Sequence, residues 1–467
     1  MDRRSFLTAT AAMAGASLPV SSEVYAAGMP GELSPPAAAF DALQKAPLMN
    51  LPRAWELMER QGIDGLIVTR DHHVYHLCNF YPSSGRMGIF NSCFGLLSAD
   101  PTRVPALVVP QFLHFYVYTH WGIKAPYEIY PFGDIADIDA YLSAEDRFAS
   151  EPGTTTRADF AVGDPALVTE RQRLRSTIRD AAVAAHGLAA GPEWGLVKAA
   201  RDYGFTGGRI AVDDPWIAET LTDADINATF VPAERLLRTI RLGHSDTEIA
   251  IMRQVAVQNA EAALATARSV HAGMTFRELR SRFWSEAGAR GQIGLYMVID
   301  SVSAEPFDAA FEDGTGFSID CVSHLLHYHG DFARTIFVGE PPALLRRATE
   351  ASAIGWDAIR EKLRPGLRYS EVRQIGRDAL AKSGYGDIFV TFTPHSVGLF
   401  HTDEPGREGV RFHVKDDLEL VEGMVLSVDC PALMDGLGGS VHLEDLVLIT
   451  KDGAELLNPT TDRVIMV

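Results

Sequence analysis

Four carboxylates stand inside, or at the ends of, segments that otherwise read as buried strand, and this conflict limits what the chain can fold into. Asp320 sits in FSIDCV, Asp331 in HYHGDFARTIFVG, Asp429 ends MVLSVD, and Glu444 sits in GGSVHLEDLVLIT. Alternate residues of a strand share a face, so Phe317, Ile319 and Cys321 point one way and Ser318, Asp320 and Val322 the other. A buried carboxylate is costly unless paired, protonated or metal-bound. Several on neighbouring strands repel one another without a cation between them. His395, in TPHSVGLFHTDEP, falls in the same stretch of chain. Divalent cations with oxygen and imidazole ligands resolve the conflict. Two such ions about 3.5–4 Å apart can share carboxylates and activate a bridging water.

The rest of the chain frames that constellation. Its 467 residues suit about three domains of ordinary size or two large ones. Lys and Arg number 42 against 61 Asp and Glu, a formal charge of −19, which repels phosphate backbones and anionic membranes. Neither nucleic acid nor membrane is therefore an expected partner. No apolar run is long enough for a membrane-spanning helix. Four cysteines make neither a disulfide framework nor a zinc cage of the usual spacing. Residues 1–27 carry Arg3-Arg4 before Ser5-Phe6-Leu7, an Ala-rich apolar stretch, and small residues at a cleavage position. They resemble a twin-arginine export signal, which implies a periplasmic protein. Residues 28–47 read as a linker.

Two halves follow. From 48 to 235 short strands (Leu66–Thr69, Ala106–Val109, Arg209–Val212) alternate with helices, an α/β unit without a phosphate-binding loop. From 236 to 467 the texture is α+β. Ser245-Asp246-Thr247-Glu248 is a capping box opening a helix. A second helix starts near Thr275, and further helices near 350 and 369 separate mainly antiparallel strands.

The ordered set Asp320, Asp331 eleven residues on, His395, Asp429 and Glu444 resembles the M24 metallopeptidases, the pita-bread proteins that include Xaa-Pro dipeptidase, aminopeptidase P and creatinase. GMTFREL, DFARTIFVG, HSVGL, VEGMVLSVD and HLEDLVLITKDG look like segments of their catalytic domain, and LIVTRDHHVYHLCNF like the creatinase-type N-terminal domain. The resemblance implies an α+β pita-bread catalytic domain behind an α/β domain, and a homodimer. It also implies a divalent metal centre, two ions per chain of Mn, Co, Zn or Fe. Asp320 would bind one metal and His395 the other, with Asp331 and Glu444 bridging. Asp429 stands where the family usually has Glu, one methylene longer.

Two departures concern the substrate side. Family peptidases carry a substrate-contacting His seven residues after the ligand His; here that position is Thr402, and His401 stands at six. They also carry a His upstream of the first ligand Asp, where SVSAEPFDAAFEDG has none. Other histidines are available. In a regular strand His327, His329 and Asp331 would share a face, as would His442 and Glu444. His327, His329 and His442 are candidates for acid–base catalysis or extra ligation, and His401 for a catalytic role in place of the missing His, while His324 is expected at the surface. Arg334 is placed to pair with a ligand carboxylate. Cys321 and Cys430 each follow a predicted ligand and should pack on the opposite face, with a disulfide as the alternative. The run His114–Tyr118 reads as strand core or dimer contact.

Three functions stay open. The first is a metallohydrolase of C–N bonds, most simply an Xaa-Pro peptidase acting on small peptides. The second is a non-peptidase enzyme of the same superfamily, creatinase-like or dimethylsulfoniopropionate-lyase-like, acting on a small molecule. The third is a metal-free binding protein.

Overall fold

The computed structural model describes residues 37–117, 127–410, 412–458, 460 and 462–467. The export signal lies outside them, as does Tyr118.

The first half is built on one seven-stranded sheet. Its strands are β1 (Gly65–Val68), β2 (Phe94–Ser98), β3 (Ala106–Pro110), β4 (Glu128–Gly133), β5 (Ala189–Ala190), β6 (Arg209–Val212) and β7 (Thr229–Pro232), in the spatial order β5-β4-β3-β2-β1-β6-β7. β2 runs antiparallel to both neighbours, and the remaining pairs are parallel. β1 and β2 are buried throughout, as apolar runs covered on both faces must be. Helix Gly191–Asp202 packs on one face with Trp194, Leu196 and Val197. Helices Leu51–Gln61 and Glu234–Arg241 cover the other with Leu57, Met58, Leu237 and Ile240.

The second half holds two smaller sheets. β8 (Ile293–Ile299), β9 (Thr315–Leu325), β10 (Tyr328–His329), β11 (Phe332–Val338) and β16 (Val464–Met466) form the first. β12 (Thr393–Ser396), β13 (Val425–Asp429), β14 (Leu446–Ile449) and β15 (Ala454–Leu456) form the second, antiparallel throughout. Helices Asp246–Ala267 and Phe276–Ala289 back the first sheet, where Phe283, Met297, Ile319 and Phe332 share a core. Helices Ala343–Arg360 and Tyr369–Lys382 back the second around Trp356, Tyr369, Leu426 and Val428. Ser245 and Thr275 close capping boxes with Glu248 and Glu278, as their sequence positions predict. No helix among the described residues is long and apolar enough to cross a membrane.

Three expectations change, and the packing of the cysteines holds. Within the 28–47 linker, Ala37–Lys45 is a helix whose Ala39 and Leu43, one turn apart, bury against Ile251 and Met252. The 235/236 boundary falls inside the Glu234–Arg241 helix. The run from His114 begins as a helical turn, Leu113–Val117, with Phe115 buried and Tyr116 exposed, so it is not a strand. All four cysteines are free and buried; Cys321 and Cys430 occupy the two separate cores behind the sheets.

Candidate metal centre

Strand alternation assembles the site. Phe317, Ile319 and Cys321 sink into the helix-backed core, so Asp320 faces away from it. Leu426, Val428 and Cys430 do the same on β13, which turns Ser427 and Asp429 away. Ala333 is the hub between the sheets. It pairs with Asp320 across β9–β11 and bridges to Glu444 on its other side. Asp331, two residues before Ala333, projects over the same face. His395 is opposite Ser427, and Asp429 opposite Thr393, so His395 and Asp429 are diagonal neighbours. Gly330 sets the entry to Asp331: a Cβ there would lie 2.5 Å from the Asn259 Cβ. Asn259 in turn ties down β9 by donating to the Cys321 carbonyl and accepting from the Ser323 N–H.

All five predicted ligands converge, with His401 and His442 joining them. His395 Nε2 lies 3.5 Å from Asp331, 3.5 Å from Glu444 and 3.8 Å from Asp429. His401 Nε2 lies 3.1 Å from Asp331 Oδ2, and His442 Nε2 lies 3.6 Å from Asp429 Oδ1. Three overlapping groups have ligand atoms within 4.8 Å of one another: Asp331, His395 and His401; Asp320, His442 and Glu444; His395, Asp429 and Glu444.

Asp320 Oδ1, both Asp331 oxygens, Glu444 Oε2 and the Nε2 atoms of His395 and His442 are buried without a hydrogen bond. So many unmet polar atoms aimed at one point fit divalent cations and little else. Burial, more than any neighbour, raises the carboxyl groups of Asp320, Asp331 and Glu444. Adjacent acids add to it, Asp320 for Asp331 and Asp331 for Glu444. Asp429 is the exception: against the burial effect, His395 and His442 hold it well below the carboxylate range. Burial, reinforced by His395, lowers His401 to about 4, so its close contact with Asp331 is no ion pair.

Three other expectations meet a different outcome. His329 does not join the cluster, because β10 is only two residues long and the preceding turn puts Leu326 and His327 at positive φ. Strand alternation therefore does not carry from His327 to Asp331. His329 Nδ1 instead faces the Gly398 carbonyl at 3.3 Å. Its ring lines a cavity of about 470 Å³ between the halves, with Arg70, Tyr81, His327 and Phe400. His324 is buried, not at the surface. Arg334 pairs with Asp445 at 2.6 Å rather than with a ligand carboxylate, and touches the ligand only by donating to the Glu444 carbonyl. Asp445 escaped the sequence reading because it follows Glu444 directly and faces the other way. Ser427, which donates to Glu444 Oε1 at 2.5 Å, also escaped it; its place one alternation before Asp429 was the available signal.

Known proteins resemble the chain in sequence and in fold. Residues 250–451 match metallopeptidase family M24. The match lies wholly within the second half of the chain. The Xaa-Pro dipeptidase of Pyrococcus furiosus is 35% identical over 153 residues, covering 33% of this chain and 42% of that protein. The Xaa-Pro dipeptidase of Pyrococcus horikoshii is 28% identical over 244 residues, covering 50% and 68%. The prolidase structure from P. horikoshii superposes with a TM-score of 0.58 at 20% identity, covering 88% of this chain and 98% of that one. The fold expected from the M24 motifs, an N-terminal α/β domain before a pita-bread domain, is thus the fold observed.

Proposed function

We propose that this chain is a metal-dependent peptidase that cleaves short peptides at an Xaa-Pro bond, exported to the periplasm by the twin-arginine route and acting as a homodimer. The observation that carries the reading is the convergence of Asp320, Asp331, His395, Asp429 and Glu444, all but Asp429 with a buried ligand atom that meets no hydrogen bond. Divalent cations held there, two per chain, would polarise the amide carbonyl and acidify water. The protein's own groups prepare that chemistry. Ser427 orients Glu444, and the His401 carbonyl faces His395 Nδ1, leaving Nε2 turned to the acids. His329 is held at the cavity wall, outside the ligand cluster. Burial lowers it to about 4, so it meets a peptide as a neutral hydrogen-bonding group. The cavity is large enough for a dipeptide.

The test is metal content, read with turnover of Gly-Pro and Ala-Pro dipeptides on the same preparation. We expect about two ions per chain, dipeptide hydrolysis, and loss of both in Asp331→Ala. Metal-free protein that takes up neither Mn²⁺ nor Zn²⁺ would sink the reading. Arg3→Lys with Arg4→Lys should leave the unprocessed precursor in the cytoplasm, seen by fractionation.

A second reading has one observation in its favour. β8 and the residues after it carry Tyr296 but no histidine, so one substrate contact implied by the family resemblance is absent. Full metal occupancy without dipeptide turnover would move the assignment to a small-molecule enzyme of the same fold.

A further inference from the structure

We propose that His401 and His442 are themselves metal ligands, one on each side of the centre. With His395 they make it a three-imidazole site that takes a nitrogen-favouring first-row cation such as zinc, cobalt or iron rather than manganese or magnesium. The inference rests on the reading of this cluster as a metal centre and concerns which residues and which cation complete it. His401 Nε2 is 3.1 Å from Asp331 Oδ2 and belongs to one three-residue ligand group with His395. His442 belongs to another with Asp320 and Glu444, and its buried Nε2 has no hydrogen bond.

Both side chains are held for the task. His401 Nδ1 is 3.2 Å from Thr402 Oγ1, which leaves Nε2 for the centre. The segment that carries it is pinned by Asp403, which accepts from the Leu399 N–H and from Arg241 Nε. His442 is fixed through its backbone, whose N–H donates to Thr335 Oγ1. Asp429 supplies the need. It is one methylene shorter than Glu and reaches less far, and His442 Nε2, 3.6 Å from Asp429 Oδ1, is placed to make up the missing reach. Imidazole suits zinc, cobalt and iron, whereas manganese and magnesium favour oxygen. Adding two imidazoles to four carboxylates and one His tips the donor set towards the former.

The test uses the full chain, stripped of metal and reloaded with Zn²⁺ alone. Zinc-edge X-ray absorption should show three imidazoles shared by two ions, where a single-histidine centre would show one. This count needs no variant. His401→Asn and His442→Asn should each lower it and weaken zinc binding at least about 10-fold, while manganese binding, measured by competition, changes less. Thermal unfolding of the metal-free variants checks that they fold. A single imidazole in the wild-type spectrum, or variants with unchanged zinc affinity and a raised KM, would overturn the proposal and make these histidines substrate contacts; the peptidase reading would survive. Failure of the wild-type chain to bind zinc or manganese would overturn both.

Discussion

Asp445 and Glu444 are neighbours in the chain with opposite tasks. Glu444 faces the centre, while Asp445 faces the core and holds Arg334 at 2.6 Å and Trp356 Nε1 at 3.1 Å. Arg334 is buried, and its other donors go to the carbonyls of Ala333, Glu444 and Asp462. It therefore ties both sides of the hub to one charge pair. Asp445→Asn keeps the shape and removes the charge, leaving a buried guanidinium uncompensated. Breaking such a pair costs about 3–5 kcal/mol, so the midpoint of urea unfolding should fall accordingly. Metal affinity should fall too, because the Glu444 backbone loses its anchor. Gly330→Ala acts at the same scale by steric conflict. Its methyl would collide with Asn259, and overpacking of this kind costs about 1–3 kcal/mol. Because the displaced neighbour is Asp331, zinc binding should drop by more than the stability does, which titration and unfolding together would show.

Among the elements, helix Asp71–Cys78 joins the halves through buried polar contacts. It buries His73 against Asp213 at 2.8 Å and His76 against Glu248 at 3.1 Å, and Tyr328 of β10 donates to the same Glu248 oxygen. His72 packs edge-on against Phe400, next to the segment that carries His401. Burial, with His73 and Arg241 adding to it and Glu234 and Asp403 opposing, pushes His72 down to about 3; burial lowers His73 and His244 as well. These bases are neutral when folded and take up protons when unfolded. The unfolded chain thus binds more protons below about pH 6.5, and stability falls as pH drops from there. Each such proton contributes a slope of up to about 1.4 kcal/mol per pH unit. Urea midpoints at pH 7 and pH 5 should show this loss, and His72→Asn should shrink it. An equal loss in the variant would mean that other groups set the slope.

At the scale of the whole molecule, the centre is where the two sheets of the second half meet, so a cation held there would be part of the fold as well as of the chemistry. Without it, four carboxylates crowd one site, three of them with buried oxygens that meet no hydrogen bond. A ligand that binds only the folded state stabilises it by about 2.7 kcal/mol at a hundred times its dissociation constant. A chelator should therefore lower the melting temperature, and Zn²⁺ should restore it. Indifference to chelator, in protein shown to contain metal, would separate the centre from folding stability.

The sequence by itself marked Asp320, Asp331, His395, Asp429 and Glu444, which the structure brings together. Acids interrupting apolar strands leave few physical solutions, and period-two alternation already turned Asp320 and Asp429 away from their cores. It also determined the helix starts at Ser245 and Thr275, since capping is local and spelled by four residues. Contacts between distant segments were decided by the tertiary structure alone. Arg334 chose Asp445 over a ligand carboxylate because Asp445 lies on the same buried side of the hub. His329 left the cluster and His401 entered it because a two-residue strand and an irregular segment after β12 do not transmit alternation. Residues 37–45 became a helix because Ala39 and Leu43 find a partner in the helix that begins two hundred residues later. Strand alternation and capping act over a few residues, but which buried charge meets which depends on how distant segments pack.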